Sequence, residues 1–180
     1  NWDLSGAQDL SMQDMFSGAT SFAQTLCWDL SGVAITINMF NGITGQASVS
    51  SPYAMSGTTE LQTAVSAWCS DSTTAEGTYG HIKCWDTSAV TDMSYLIYSY
   101  CDITTSTFNE DLSLWDVSRV EDMQRMFGYA SDFNSDISPW DISKVSAMFD
   151  MFYSASDFSQ TLCWDIDTSV ITTTGGGGGG

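Results

Sequence analysis

Apolar residues recur along this chain in one fixed figure. Met123, Met126 and Phe127 stand at i, i+3 and i+4, the spacing of one face of a short helix. The same triplet returns as Met12, Met15, Phe16 and as Met148, Met151, Phe152, and in a weaker copy as Met93, Leu96, Ile97. Six residues after the helical Phe comes a second one, giving Phe22, Phe133 and Phe158, which the repeat predicts as an aromatic column through the core. The next stretch, Asp136-Ile137-Ser138, alternates polar and apolar and predicts a short strand and turn. The methionine stripe is read as core rather than as a soft-metal or peptide-binding surface, because it sits at helical spacing in every copy.

Six tryptophans precede aspartate: Trp2, Trp28, Trp85, Trp115, Trp140 and Trp164; only Trp68 does not. Whole copies run from Trp2 to Trp28, Trp115 to Trp140 and Trp140 to Trp164. Self-similarity at 24 to 26 residues predicts an α/β solenoid with leucine-rich-repeat-like coils, each a short strand plus a short helix. Trp2, Trp28, Trp85, Trp115, Trp140, Trp164, Met126, Phe127, Phe133, Met151, Phe152 and Phe158 are the predicted repeat core.

The pattern W-D-[VIL]-S-x-V-x-D-M-x-x-M-F-x-x-A-x-x-F-N-x-D-I-S resembles the BspA-like leucine-rich-repeat surface proteins, the mycoplasma-lipoprotein type of 25-residue repeat. The likeness covers most of the chain outside 41–56 and the tail. Residues 60–97 also look like the segment that opens an array in that family: a capping helix, then Tyr-Gly-x-Ile, then the first Trp-Asp repeat. The resemblance implies a secreted or surface-displayed solenoid used in adhesion and structure, without catalysis.

The order of segments predicts four parts. Residues 1–45 are the closing repeats of one array. They share Phe-x-Gln-Thr-Leu-Cys-Trp-Asp (Phe22 to Asp29) with the end of the second array (Phe158 to Asp165). Residues 46–56, rich in Ser and Gly and holding Pro52, read as a linker. Residues 57–174 are a second array opened by a cap. There Leu61, Ala64, Val65 and Trp68 describe an amphipathic helix over Thr59 to Ser70 that covers the apolar end of the first coil. The Trp85-to-Trp115 repeat is longer, and its excess near Tyr98 to Thr107 predicts a surface bulge. Residues 175–180 are a run of glycines, a flexible linker or unassigned positions, with no phosphate-loop meaning. Asn1-Trp2-Asp3 stands mid-repeat, and the export signal a surface location needs is expected outside this stretch or already removed.

Charge narrows the partners. Four basic residues face 22 acidic ones, for a formal net charge of −18. Nucleic acid needs clustered Lys and Arg, and anionic membranes need the same. No apolar run approaches the ~20 residues of a membrane-spanning helix.

Stacked Trp-Asp carboxylates at a strand spacing of about 4.8 Å repel one another, so something must offset this. Backbone N–H groups in the turn before the helix would do so. Calcium shared between Asp116 and Asp141 is the alternative. Asp92 and Asp122 are expected to stabilise helix N-termini. Five cysteines without Cys-x-x-Cys point to disulfides outside the cell rather than zinc. Cys69 is placed to reach Cys84 or Cys101. Cys27 is placed to reach Cys84 if their repeats stack, and an odd count leaves one thiol over, with Cys163 among the five candidates. No N-linked sequon exists, while abundant Ser and Thr leave room for O-linked glycans. His81, the single histidine, reads as structural, and no Ser-His-Asp triad is apparent.

Three non-enzymatic readings follow. The first is a building block of a surface filament, fibre or coat, stacking on copies of itself or neighbouring repeat modules. The second is an adhesin that binds a glycan or protein on the solenoid face, with Tyr95, Tyr98 and Tyr100 lining it. The third is a calcium-stiffened acidic spacer.

Overall fold

In this computed structural model, residues 12–28, 39, 41, 48–50, 52–102 and 107–165 are described. The chain forms two compact units, Asn1–Tyr53 and Ala54–Gly180. Trp2, the mid-repeat start and the glycine tail lie outside the described residues.

In the first unit, β1 (Thr25–Cys27) and β2 (Ser48–Ser50) pair in parallel, with Thr25 opposite Ser48 and Cys27 opposite Ser50. The stretch read as a linker therefore carries a strand. Phe16 N–H donates to the Met39 carbonyl at 2.9 Å and Gly18 N–H to that of Asn41 at 3.0 Å. Met12, Trp28 and Met39 are buried together, with Phe16 and Leu26 packed against them. Phe16 stacks on Phe22 at 4.6 Å.

The second unit begins at the end of the short strand β3 (Tyr53–Ala54), and its first helix is α1 (Thr58–Ser70). Leu61, Ala64, Val65 and Trp68 are its buried face, as their spacing predicts. Ser56 donates to the Glu60 carboxylate at 2.7 Å from both N–H and Oγ, fixing the entry to the helix. A second helix, α2 (Ser72–Tyr79), was not legible in the sequence: it is rich in Ser and Thr and buries only Ala75. Its start is set by Asp71, which accepts from Thr74 N–H at 3.1 Å and from Thr74 Oγ1 at 2.7 Å. Gly80 then takes a positive φ of 69° and ends it. A 3-10 turn (Ile82–Cys84) leads into β4 (Trp85–Asp86), and Met55 N–H donates to the Asp86 carbonyl at 2.9 Å.

From here successive repeats are joined by backbone hydrogen bonds. Met93, Tyr95 and Ile97 donate to Asp122, Gln124 and Met126 at 2.8, 2.8 and 3.0 Å. Met123, Arg125, Phe127 and Tyr129 donate to Ala147, Phe149, Met151 and Tyr153. Alternate amides thus point to the next repeat, the habit of a parallel ladder, and bridges Asp92–Asp122 and Asp122–Ala147 mark its start. Between these, Met126 bonds back to Met123, Gly128 to Arg125 and Ala130 to Phe127, closing turns within the repeat.

The expected short helix at Met123–Phe127 is therefore a run of turns, and so are its copies at Met12–Phe16 and Met148–Phe152. The reason is backbone handedness. Asp14, Arg125 and Asp150 take φ near +55° (56°, 50° and 55°), and Tyr129 and Ser154, four residues after the last two, take 59° and 58°. A left-handed residue ends helical propagation, yet the turn still brings i, i+3 and i+4 to one side. Met123, Met126 and Phe127 are fully buried. Only the Met93 copy continues into a helix, α3 (Leu96–Tyr100), again entered through a left-handed residue, Tyr95 at 57°. The parallel bridges lie at Asp92, Asp122 and Ala147, whereas Asp136–Ile137 leads into a turn at Ser138–Pro139, with the Asp136 carboxylate accepting from Ser138 N–H at 2.9 Å.

The core between repeats is aromatic. Phe108 stacks on Phe133 at 6.3 Å and Phe133 on Phe158 at 5.8 Å, with 2° between the last two planes. Phe127 stacks on Phe152 at 5.7 Å, and within repeats Phe127–Phe133 and Phe152–Phe158 close to 3.9 and 4.1 Å. Trp85 stacks on Trp115 at 6.1 Å and Trp140 on Trp164 at 6.5 Å. Met151 is buried beside this column. Phe22 belongs to the first unit, where its partner is Phe16. A polar column runs alongside: Asn109 Oδ1 accepts from Asn134 N–H, and Asn134 Oδ1 from Ser159 N–H, at 2.9 and 3.0 Å.

Candidate functional site: a tyrosine ribbon across three repeats

The ladder that joins the repeats also fixes what they display. Its register places Tyr98, Gly128 and Tyr153 at equivalent positions of three successive repeats. Gly128 is the gap in that row: a Cβ there would stand 3.3 Å from Tyr98 Cδ2. Tyr129, turned by its left-handed backbone, fills the row from one position further on. Its ring lies 6.0 Å from Tyr98 and 5.2 Å from Tyr153. Tyr95 adds an edge contact to Tyr98 at 5.8 Å. Tyr129 and Tyr153, side by side, are 44% and 48% exposed.

Polar groups hold the ribbon in place. Arg125 Nη2 and Nε donate to Asp150 Oδ2 at 2.8 and 3.1 Å. The guanidinium also lies 5.9 Å from the ring centres of Phe149 and Tyr153. Gln124 Nε2 donates to the Tyr95 hydroxyl at 3.0 Å. The Tyr129 phenol is pushed above its ordinary pKa, first by the charge Tyr153 would carry and then by their shared hydrogen bond. In the first unit Ser17 and Gly18 occupy the positions equivalent to Gly128 and Tyr129, so the ribbon is a feature of the second unit.

The other candidate residues have structural partners. Three Trp-Asp carboxylates of the second unit cap their own turns. Asp86, Asp116 and Asp141 accept from the N–H of Ser88, Ser118 and Ser143, all at 3.0 Å. These bonds to Ser143, backbone first, hold the Asp141 carboxyl below its usual range. Asp92 and Asp122 do the same for Ser94 and Gln124 at 2.8 Å, at a turn and not at a helix N-terminus. Among the described residues no three His, Cys, Asp or Glu side chains are grouped to hold a metal ion.

Cys69 of α1 is bonded to Cys101 just after α3, so the alternative partner Cys84 is not used by Cys69. Cys101 is buried, which places part of the expected surface bulge against the cap; residues 103–106 lie outside the described set. Cys27 and Cys84 are also disulfide-bonded, and Cys163 is free and exposed. His81 Nδ1 accepts from Lys83 N–H at 3.2 Å, and its ring meets Trp68 edge-on at 5.2 Å.

Residues 1–53 and 63–175 match one protein family. The chain belongs to the family described as Mycoplasma protein of unknown function, DUF285. No curated protein and no solved structure matches this DUF285 chain.

Sequence reasoning singled out Tyr95, Tyr98 and Tyr100 and passed over Tyr129 and Tyr153. Tyr100 lies apart, beside Thr59, Thr63 and Ser70 of α1. The available signal was Gly128-Tyr129, which aligns with Tyr153-Ser154 one position out of step. An offset of one residue looks like an unrelated tyrosine until the intervening Gly is seen as a gap that a neighbouring ring must fill.

Proposed function

We propose that this chain is a non-enzymatic, extracellular binding module. It is a solenoid of BspA-like repeats of about 25 residues that presents the tyrosine ribbon of its second unit to a surface ligand. The observation that carries this reading is the contiguous row Tyr98–Tyr129–Tyr153, whose last two rings are about half-exposed, pinned by Arg125 and Asp150. Tyrosine and arginine are the side chains that concentrate binding energy at recognition surfaces. A fold maintained for packing alone gains little from leaving two such rings in water. The Cys69–Cys101 bond suits an oxidising compartment. The charge of −18 disfavours nucleic acid and anionic lipid as the ligand.

The test is attachment of chain-coated beads to decellularised epithelial matrix. Wild-type beads attach, and beads carrying Tyr129→Ala with Tyr153→Ala lose at least about tenfold in affinity, or 1.4 kcal/mol. Equal attachment, or none by the wild type, would overturn the reading.

The filament reading keeps one supporting feature. Cys163 is free and exposed in the last described repeat, available for bonding to a second copy. Light scattering in non-reducing buffer separates the two, because the binding module is a single-chain species.

A further inference from the structure

We infer that the ribbon takes a neutral polysaccharide laid across successive repeats, one sugar against the aromatic ring of each. This rests on the binding reading above and names its ligand class.

The first argument is register. The rungs Tyr98, Tyr129 and Tyr153 come from three consecutive repeats, with ring centres 6.0 and 5.2 Å apart. Repeats joined by strand-type bonds advance by about 4.8 Å, close to the length of one pyranose in an extended chain. The rungs recur at about the ligand's own period, with Tyr129 one position out of register, so successive sugars meet rings of different tilt. The rings are not coplanar, at 37° and 76° between neighbours. The surface is therefore stepped, and it suits a polymer that rotates from one sugar to the next.

The second argument is the polar rim. Sugar hydroxyls both donate and accept. Gln124, Arg125 and Asp150 offer planar donors and acceptors beside the rings, each already held by a partner. Such groups bind with little further loss of side-chain freedom.

The third argument is charge. Arg125 is neutralised by Asp150, so the ribbon has no net charge at its centre. Sulfated or uronic-acid polymers would meet a chain of −18 without a free cation here to receive them.

The experiment uses the same matrix and the full chain. The matrix is treated with mild periodate, which cleaves sugar diols, or with protease, and heparin is added as a polyanion competitor. Attachment that is lost on periodate, survives protease, ignores heparin and holds from low to high salt supports the proposal. Retention after periodate with loss after protease assigns the ribbon to a protein partner. Competition by heparin assigns it to a polyanion. Either result overturns the neutral polysaccharide while leaving the binding reading intact, whereas insensitivity to Tyr129→Ala and Tyr153→Ala overturns that reading itself. The paired Tyr129→Phe and Tyr153→Phe variant keeps the ring faces, so it retains attachment within about threefold, or 0.7 kcal/mol, if stacking is the contact. Its loss to the level of the alanine pair would count against stacked sugars.

Discussion

The indole N–H of Trp140 donates to the carbonyl of Leu112, 28 residues earlier, at 2.9 Å. Trp115 does the same to Ile82 at 2.9 Å. Each ring fills the core and also satisfies a carbonyl of the preceding repeat. Trp140→Phe keeps most of the ring and removes the donor. The Leu112 carbonyl keeps its bond from the Trp115 N–H at 3.1 Å, so the change should destabilise the chain by about 0.5–1.5 kcal/mol, the net worth of one hydrogen bond. The urea midpoint measures this, and an unchanged midpoint would mean the bond does not hold the repeats together.

Ser154 takes a left-handed backbone, φ 58°, where the last turn of its repeat closes. Glycine in a helix interior costs about 1 kcal/mol relative to alanine. At a left-handed position it relieves about 1–2 kcal/mol of steric cost. Ser154→Gly should therefore raise the melting temperature and Ser154→Ala lower it. The reverse order would contradict a left-handed backbone at Ser154.

Asp111 gives a pH dependence. Partial burial raises its carboxyl pKa, but hydrogen bonds from Lys83 and Ser113 outweigh this and carry it below the usual range. Lys83 Nζ lies 2.6 Å from Asp111 Oδ2. A carboxylate whose folded pKa is depressed contributes stability above the unfolded pKa of about 3.9. That contribution is lost as pH falls through the lower folded value. Lys83→Met should flatten the decline in melting temperature below about pH 4 and lower stability at neutral pH only modestly, because the pair is partly solvated. An unaltered acid profile would show that the pair contributes nothing.

The Cys69–Cys101 bond closes a loop of 32 residues and ties α1 to the end of α3. Replacing both cysteines by serine should cost about 2–4 kcal/mol, seen as a lower denaturant midpoint. A single replacement should add one titratable thiol by mass spectrometry. Full retention of stability would mean the cap is held by packing of Leu61, Val65 and Trp68 alone.

Much of this fold was legible because it is repeated. The Trp-Asp period, the Phe133–Phe158 column and the buried face of α1 follow from spacing alone, but burial does not recur in every copy: Met15, the counterpart of Met126 in the first unit, is 41% exposed. The turns at Met123–Phe127 were not. Their i, i+3, i+4 pattern is what a helix would also give, and Arg125 and Asp150 take a left-handed backbone without the glycine that normally signals it. The carboxylate column was legible in kind: a backbone cap was one of two readings, and Asp116 and Asp141 each cap a turn. The ribbon was hidden for a different reason. Its members lie in different repeats, and Tyr129 joins Tyr98 and Tyr153 only because Gly128 leaves room between them.

The most direct test of the ribbon's role is tyrosine-directed chemical labelling of the full chain, free and bound to epithelial matrix, read peptide by peptide by mass spectrometry. Tyr129 and Tyr153 should label readily in the free chain and be protected on binding, while Tyr79, packed against Trp85 at the cap, should label equally in both. Equal labelling of Tyr129 and Tyr153 in the two states would contradict the account and move the binding surface elsewhere.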